Sequence, residues 1–321
     1  MNKNLQEVLA SFCIDYKCKN IAVNDLRLDS RKVKEGDVFC AVQGQSGHGM
    51  DFVPQAIERG AVAVLTDKKL NGNTFDSKGI AVIFVPKLSA KLGDLAHQFY
   101  GEPSEKLKVL AVTGTNGKTS VAWFLMRALN RLGNKAAYIG TLGAGFVGGI
   151  EPLNNTTPSV IDMHRLLASF VAQGATHVCV EVSSHALDQG RIDGVLVNQA
   201  LFTNLSRDHL DYHHCMENYA DAKFKLFDLF ASHHAILNAD DACAKEWLSQ
   251  SINSSEVITY ATDSVADWQA NDVKSGYQGL CFDLQNNDSV VQIESKLMGL
   301  FNVENLLLVA ASLSALGLKL K

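Results

Sequence analysis

The feature that most constrains the fold is a short apolar run, Val109-Leu110-Ala111-Val112. It breaks at Thr113-Gly114-Thr115-Asn116-Gly117-Lys118-Thr119 and resumes as a helical pattern over residues 120–132. Strand, glycine turn and helix in that order make a cradle for a triphosphate. Small residues let backbone N–H groups curl around phosphate oxygens, and the helix N-terminus adds a favourable field. Lys118 is placed to offset charge on the β- and γ-phosphates, and the Thr119 hydroxyl to bind Mg²⁺. The strict Walker spelling also asks for a glycine where Val112 stands. A plain glycine turn ahead of a surface helix is the competing reading, and the flanking strand and helix argue against it.

The segments around this loop read as an α/β protein: a small N-terminal α/β domain followed by a P-loop-type, mainly parallel sheet flanked by helices. A chain of 321 residues exceeds one ordinary domain. Strand-like runs at 37–42 and 61–65 flank a helical segment at 53–59, so residues 1–88 form the N-terminal domain. Residues 89–104 read as a linker helix and boundary, punctuated by Gly101-Glu102-Pro103, and 105–321 as the central domain. There, expected strands at 136–139, 176–182, 199–203 and 234–237 alternate with helices at 161–173 and 216–230. That alternation argues for a parallel sheet covered on both faces. Residues 264–295 read as a polar β-hairpin excursion before a last helix at 302–316.

Composition narrows the function. Net charge of −5 disfavours a broad grip on nucleic acid or an anionic membrane, so cations for an anionic substrate must be gathered locally. Seven cysteines without a C-x-x-C pair indicate neither a zinc ribbon nor a disulfide framework. The longest apolar stretch, 306–318, is too short to span a bilayer, and the first residues lack a secretory pattern. A monomeric cytoplasmic protein is expected.

Two further strand ends carry candidate ligands. Glu181 closes an apolar strand, at the edge where open α/β sheets bind ligands, and a carboxylate there can hold Mg²⁺ beside a nucleotide. The alternative is an acid capping the following turn. Residues 202–205 lead into Ser206-Arg207-Asp208-His209-Leu210-Asp211-Tyr212-His213-His214, whose histidines and aspartates suggest a metal. Zinc on His209 and His213 is one option, but no cysteine spacing supports it. Lys223, on a predicted helix, reads by itself as a solvated surface residue.

Taken together, these strings resemble the Mur ligases, with the loop also similar to that of folylpolyglutamate synthetases. Asn155-Thr156-Thr157-Pro158, residues 181–185 with Gln189 and Arg191, and residues 202–212 look like the MurE-type branch, which forms the muramoyl-tripeptide. The matching motifs run in order from Leu28 to Asn305. The resemblance implies that Gly114, Thr115, Asn116, Gly117, Lys118, Thr119 and Ser120 hold ATP phosphates. It places Thr119 and Glu181 on one Mg²⁺ and His209 on a second. Lys223 matches a lysine that CO₂ carbamylates to N6-carboxylysine, which would turn an amine of pKa about 10.4 into an anionic oxygen ligand. Lys118, Lys223 and His209 are the implied catalytic residues. Asn302 and Asn305 match adenine-side asparagines, with helix capping by Asn302 as the alternative, and Asn238 is implied near the nucleoside. Leu28, Ser30, Gln45, Ser46 and Gly47 correspond to uridine-side contacts. Asn155, Thr156, Thr157, Ser183, Gln189 and Arg191 correspond to muramoyl-dipeptide contacts, Arg191 offering a fork donor. The loop 44–51 departs from the family spelling Gly-x-x-x-Asp-Gly-His, having His48-Gly49-Met50 at its end.

The implied reaction is ATP-driven amide formation on UDP-N-acetylmuramoyl-L-alanyl-D-glutamate, through an acyl phosphate, in peptidoglycan synthesis and hence cell-wall growth and division. Diaminopimelate is the expected third amino acid and lysine the alternative. The family's third domain, which selects that amino acid, is expected beyond Lys321, so the chain reads as the first two domains, inactive alone. A folate-type ligase and a non-catalytic nucleotide-binding module are the rivals. Asp29-Ser30-Arg31 in an N-terminal unit argues against the first.

Overall fold

The computed structural model describes residues 3–10, 12, 21–44, 47–69, 74–75, 79–230, 232–286 and 289–318. It divides into two compact units: Met1–Pro103 with Ser159–Ala168 and Ile192–Val195, and Ser104–Pro158 with Ser169–Arg191 and Leu196–Lys321. Among the described residues no helix is long and apolar enough to cross a membrane.

The first unit is built on a sheet with the order Asp25–Arg27, Asp37–Ala41, Ala63–Thr66, Ala81–Phe84, Thr74–Phe75. All its pairings are parallel except the last. Asp37–Ala41 and Ala63–Thr66 are buried at every position, as expected of parallel strands covered on both faces. The helix Leu88–Phe99, expected as part of a linker, belongs to this unit's core. Its apolar spacing puts Leu88, Leu92, Leu95, Ala96 and Phe99 on one stripe against Leu26, Val38 and Ile83.

The second unit carries a mixed sheet whose middle is parallel. Seven strands run parallel in the order Ala136–Gly140, His177–Glu181, Lys108–Thr113, Gln199–Phe202, Ser232–Asn238, Ser254–Ala261, Trp268–Gly276. Antiparallel strands extend both edges: Gly143–Phe146 and Gly149–Glu151 on one, Gly279–Asn286 and Val290–Ser295 on the other. Residues 264–295 are therefore no separate excursion. Their polar residues alternate with Trp268, Ala270, Leu280, Phe282 and Leu284, which join the main core, and alternation along a strand puts the polar set on the other face. The expected strands and helices between 108 and 238 form within a few residues of their predicted ends.

Two helices shape this core. Lys118–Arg131 buries Val121, Ala122, Leu125, Met126 and Leu129, a helical stripe. Phe301–Ala315 is apolar almost all round and packs against that helix and the strands beside it. A buried polar pair ties it to the sheet: Ser312 Oγ donates to Gln199 Oε1, and Gln199 Nε2 donates to the Ser312 carbonyl at 3.0 Å. Because His177–Glu181 and Gln199–Phe202 flank Lys108–Thr113 in register, Glu181 sits beside Val112 and Phe202 beside Thr113. The glycine loop thus emerges between the ends of its two neighbours.

Ser312→Ala leaves the Gln199 amide oxygen buried without its hydroxyl donor, and should lower unfolding free energy by about 1–3 kcal/mol in urea titrations.

Candidate active site

The loop is folded by its neighbours as much as by its own glycines. Thr115 N donates to the Asn204 carbonyl at 2.7 Å, Asn116 N to Asn204 Oδ1 at 3.0 Å, and Thr203 Oγ1 to the Asn116 carbonyl at 2.6 Å. Gly114 has φ +145°, and a Cβ there would lie 1.9 Å from Thr203 Oγ1. Gly117 has φ +85°, and a Cβ there would lie 2.6 Å from Asn305 Oδ1. Both positions exclude a side chain by sterics and by backbone conformation. The helix beginning at Lys118 has no side-chain cap, so its N-terminus is open to an anion.

A cavity of about 270 Å³ lies at this helix end, lined among others by Lys118, Thr119, Ser120, Glu181, His209 and Lys223. Thr115, Asn116, Gly117, Thr156 and Ser183 also reach it. These predicted residues, spread over about a hundred positions of sequence, are thus brought to one place.

Glu181 is fully buried and held by four donors: Tyr138 OH, Thr141 N at 3.0 Å, Thr141 Oγ1 at 3.2 Å and Thr119 Oγ1 at 2.8 Å. Burial and the Glu181 carboxylate raise the Tyr138 phenol above its ordinary value, so it remains a donor. Thr119 and Glu181 are hard oxygen donors facing one cavity, a set that suits Mg²⁺.

The two lysines converge on one backbone oxygen. Lys118 Nζ donates to the carbonyls of Gly114 at 2.8 Å and Thr115 at 2.7 Å, while Lys223 Nζ donates to Gly114 at 2.7 Å and lies over the Tyr219 ring. Lys223 is 1% exposed, not a solvated surface residue. Burial, then the nearby Lys118 charge, pulls its pKa down to about 6. Burial lowers Lys118 too, with Glu181 and Asp208 opposing.

His209 adopts a left-handed backbone, φ +53°, its ring stacking edge-on to His185. His213 turns away from it to Ser184 Oγ at 2.9 Å. Among the described residues no three His, Cys, Asp or Glu side chains gather as a metal group, so the zinc arrangement of His209, His213 and nearby acids does not form. The reason is local: the helix Leu210–His213 is a single turn that sends the two rings to different partners.

The other predicted residues are not part of this cavity's lining. Thr157 Oγ1 donates to the Glu181 carbonyl, Arg191 Nη1 donates to the Thr157 carbonyl at 2.9 Å, and both Arg191 Nε and Nη2 donate to Gln189 Oε1. Asn155 is exposed. Asn302 does not cap its helix; Leu300 holds that position, and Asn302 Oδ1 instead accepts from Asn305 Nδ2 at 3.1 Å. Asn238 Nδ2 donates to the Thr203 carbonyl and to Glu304. Leu28, Ser30 and Gly47 belong to the first unit, where Ser30 Oγ donates to Gln55 at 2.6 Å. There Gly49 is needed because a Cβ would meet the Ala41 backbone at 2.6 Å. Gln45 and Ser46 lie outside the described residues. Sequence reasoning missed Thr141, Tyr138, Ser184 and Tyr219. Only Thr141, following Gly140 at a strand end, gave a readable signal.

The chain resembles known proteins over most of its length. Residues 112–313 match the family model described as Mur ligase middle domain, and 23–100 match Mur ligase family, catalytic domain. The chain is 40% identical over 311 residues to the UDP-N-acetylmuramoyl-L-alanyl-D-glutamate--2,6-diaminopimelate ligase of Haemophilus ducreyi, covering 92% of this chain and 62% of that protein. It is 42% identical to the ligase of the same name from Xanthomonas campestris, covering 93% and 60%. The chain thus spans about three-fifths of these relatives' length. A solved structure of a UDP-N-acetylmuramoyl-L-alanyl-D-glutamate--2,6-diaminopimelate ligase superposes with TM-score 0.84 at 29% identity, over 99% of this chain and 65% of that one. A Mycobacterium tuberculosis folylpolyglutamate synthase shares the fold over 73% of this chain, with TM-score 0.59 at 19% identity.

Because Lys223 drops from 10.5 to about 6 on folding, the folded chain binds fewer protons than the unfolded chain between those values. The penalty is full below the lower value and absent above the upper one, so stability should rise with pH across this window. In CO₂-free buffer, Lys223→Met should flatten the rise in urea midpoint between about pH 6.5 and about pH 9. Equal slopes for the two proteins would contradict the depressed pKa.

Proposed function

Because the chain belongs to the Mur ligase family, we propose that it binds ATP and UDP-N-acetylmuramoyl-L-alanyl-D-glutamate and serves the ATP-driven addition of meso-diaminopimelate in peptidoglycan synthesis. The observation that carries this reading is the cavity in which Lys118, Thr119, Glu181, His209 and Lys223 meet at an uncapped helix N-terminus.

In this reading the loop backbone and the helix end receive the phosphates. Lys118 spends two of its three donors on the loop carbonyls, leaving one for a γ-phosphate oxygen. Thr119 and Glu181 would hold one Mg²⁺, and His209 with Lys223 a second. Magnesium, when bound, withdraws charge from the phosphate oxygens. A terminal D-glutamate carboxylate oxygen attacks the γ-phosphorus and ADP leaves. The incoming amine then displaces phosphate from the acyl phosphate and loses a proton, forming the amide.

Lys223 fits its implied modification. A lysine near pKa 6 is mostly a free amine at neutral pH, able to attack CO₂, form an N–C bond and release a proton. The resulting carbamate is an anion on the side chain that shares the Gly114 carbonyl with Lys118, which replaces a neutral neighbour of that ammonium with an attractive one. Arg191, buttressed by Gln189 and the Thr157 carbonyl, would meet the dipeptide with Asn155, Thr156, Thr157 and Ser183. Leu28, Ser30 and Gln45 to Gly47 would meet the uridine, and Asn302 and Asn305 the adenine. Substrates that are both water-soluble nucleotides fit a cytoplasmic enzyme. A folate-type ligase is disfavoured because residues 23–100 match the Mur family.

Titration calorimetry tests the substrates. Lys118→Ala should weaken Mg²⁺–ATP binding by at least about 100-fold, as expected when a buried charge–phosphate contact is lost; unchanged affinity would remove the loop from the site. Intact mass after incubation with bicarbonate should show one CO₂ added at Lys223, and a bare amine in metal-bound protein would undo the carbamate. In the protein carrying this sequence, UDP-N-acetylmuramoyl-L-alanyl-D-glutamate, ATP and meso-diaminopimelate should yield the tripeptide, with lysine a poor replacement.

A further inference from the structure

The four donors around Glu181 are of two kinds. On Oε1 they are a backbone N–H, from Thr141, and the Tyr138 phenol. On Oε2 they are the hydroxyls of Thr119 and Thr141, both of which line the cavity. A hydroxyl can rotate its proton away and offer oxygen to a cation, whereas a backbone N–H cannot. The phenol is as constrained as the amide. Tyr138 is fully buried, its ring packs edge-on against Trp123 at 5.6 Å, and its oxygen accepts from Leu142 N at 3.3 Å, which directs its proton to Glu181. Gly140, on the same strand face, leaves no slack. A Cβ there would lie 2.1 Å from Glu181 Oε1 and 2.4 Å from the Tyr138 hydroxyl.

We propose that Tyr138 is a positioning residue for a divalent cation: with Thr141 N it occupies Oε1 of Glu181, so that Oε2 alone is presented to the cavity beside Thr119. The inference rests on the reading of Glu181 as a cation ligand. Carboxylates that bind metals are oriented by such outer hydrogen bonds. Tyr138 is not among the residues that line the cavity, so its effect should appear only where the cation is bound.

The test measures Mn²⁺ affinity in the presence of ADP by electron paramagnetic resonance, ADP affinity without metal by calorimetry, and thermal midpoint. Tyr138→Phe keeps the ring and removes the hydroxyl. It should weaken Mn²⁺ binding by about tenfold or more while metal-free ADP binding stays within about twofold. Gly140→Ala, whose methyl would collide with the Glu181 carboxylate and the Tyr138 hydroxyl and force them apart, should reproduce that loss and serves if Tyr138→Phe does not fold. Wild-type Mn²⁺ affinity in Tyr138→Phe, alongside loss in Glu181→Gln, overturns the positioning role and leaves the ligand reading standing. Equal weakening of ADP with and without metal makes Tyr138 merely structural and also overturns it. Wild-type Mn²⁺ affinity in Glu181→Gln removes the ligand reading, and this inference with it.

Discussion

The clasp between the glycine loop and Thr203-Asn204 is the constraint on which the rest of the site depends. Four hydrogen bonds join this pair to the turn after Lys108–Thr113, and Thr203 Oγ1 occupies the space a side chain on Gly114 would need. The clasp exists because parallel pairing puts the end of Gln199–Phe202 beside the end of Lys108–Thr113. It leaves the helix from Lys118 starting uncapped and facing a cavity, which is what an anion requires. The same arrangement turns the Gly114 carbonyl toward both Lys118 and Lys223.

That shared carbonyl explains the site's electrostatics. Two ammonium groups on one acceptor, one of them almost wholly buried, repel each other and are poorly solvated, so the deeper lysine gives up its proton most readily. Glu181 provides the balancing charge on the other wall, and its own four donors replace the water it lost. The cavity therefore holds cationic and anionic walls close together without joining them in a direct ion pair, a preorganisation suited to a charged ligand and its counterion.

Much of the central fold was legible because its signals are local. The apolar run at 109–112, the glycines at 114 and 117 and the stripe from Val121 to Leu129 each specify an element within a few residues of sequence. The helix at 88–99 and the strands from 268 to 295 form where the pattern puts them, but the core each one joins was not legible. Their apolar residues are spaced thinly among polar ones, and only their packing shows which core they serve. Tyr138 was invisible for a related reason. In a strand of small and apolar residues it reads as core, and its hydroxyl acquires meaning only from Glu181, which lies 43 positions away.

The order of strand ends, the glycine turn and the chemical types of the ligands were determined by sequence, since each depends on neighbouring residues or on a motif met in order. Tertiary structure alone decided which of those groups meet. Lys223 looks like any helical surface lysine until the helix Met216–Asp228 buries it against Gly114. His213 looks like a partner of His209 until one helical turn points it at Ser184. Burial and orientation are properties of long-range packing, and they set both the charge on a lysine and the direction of a ring.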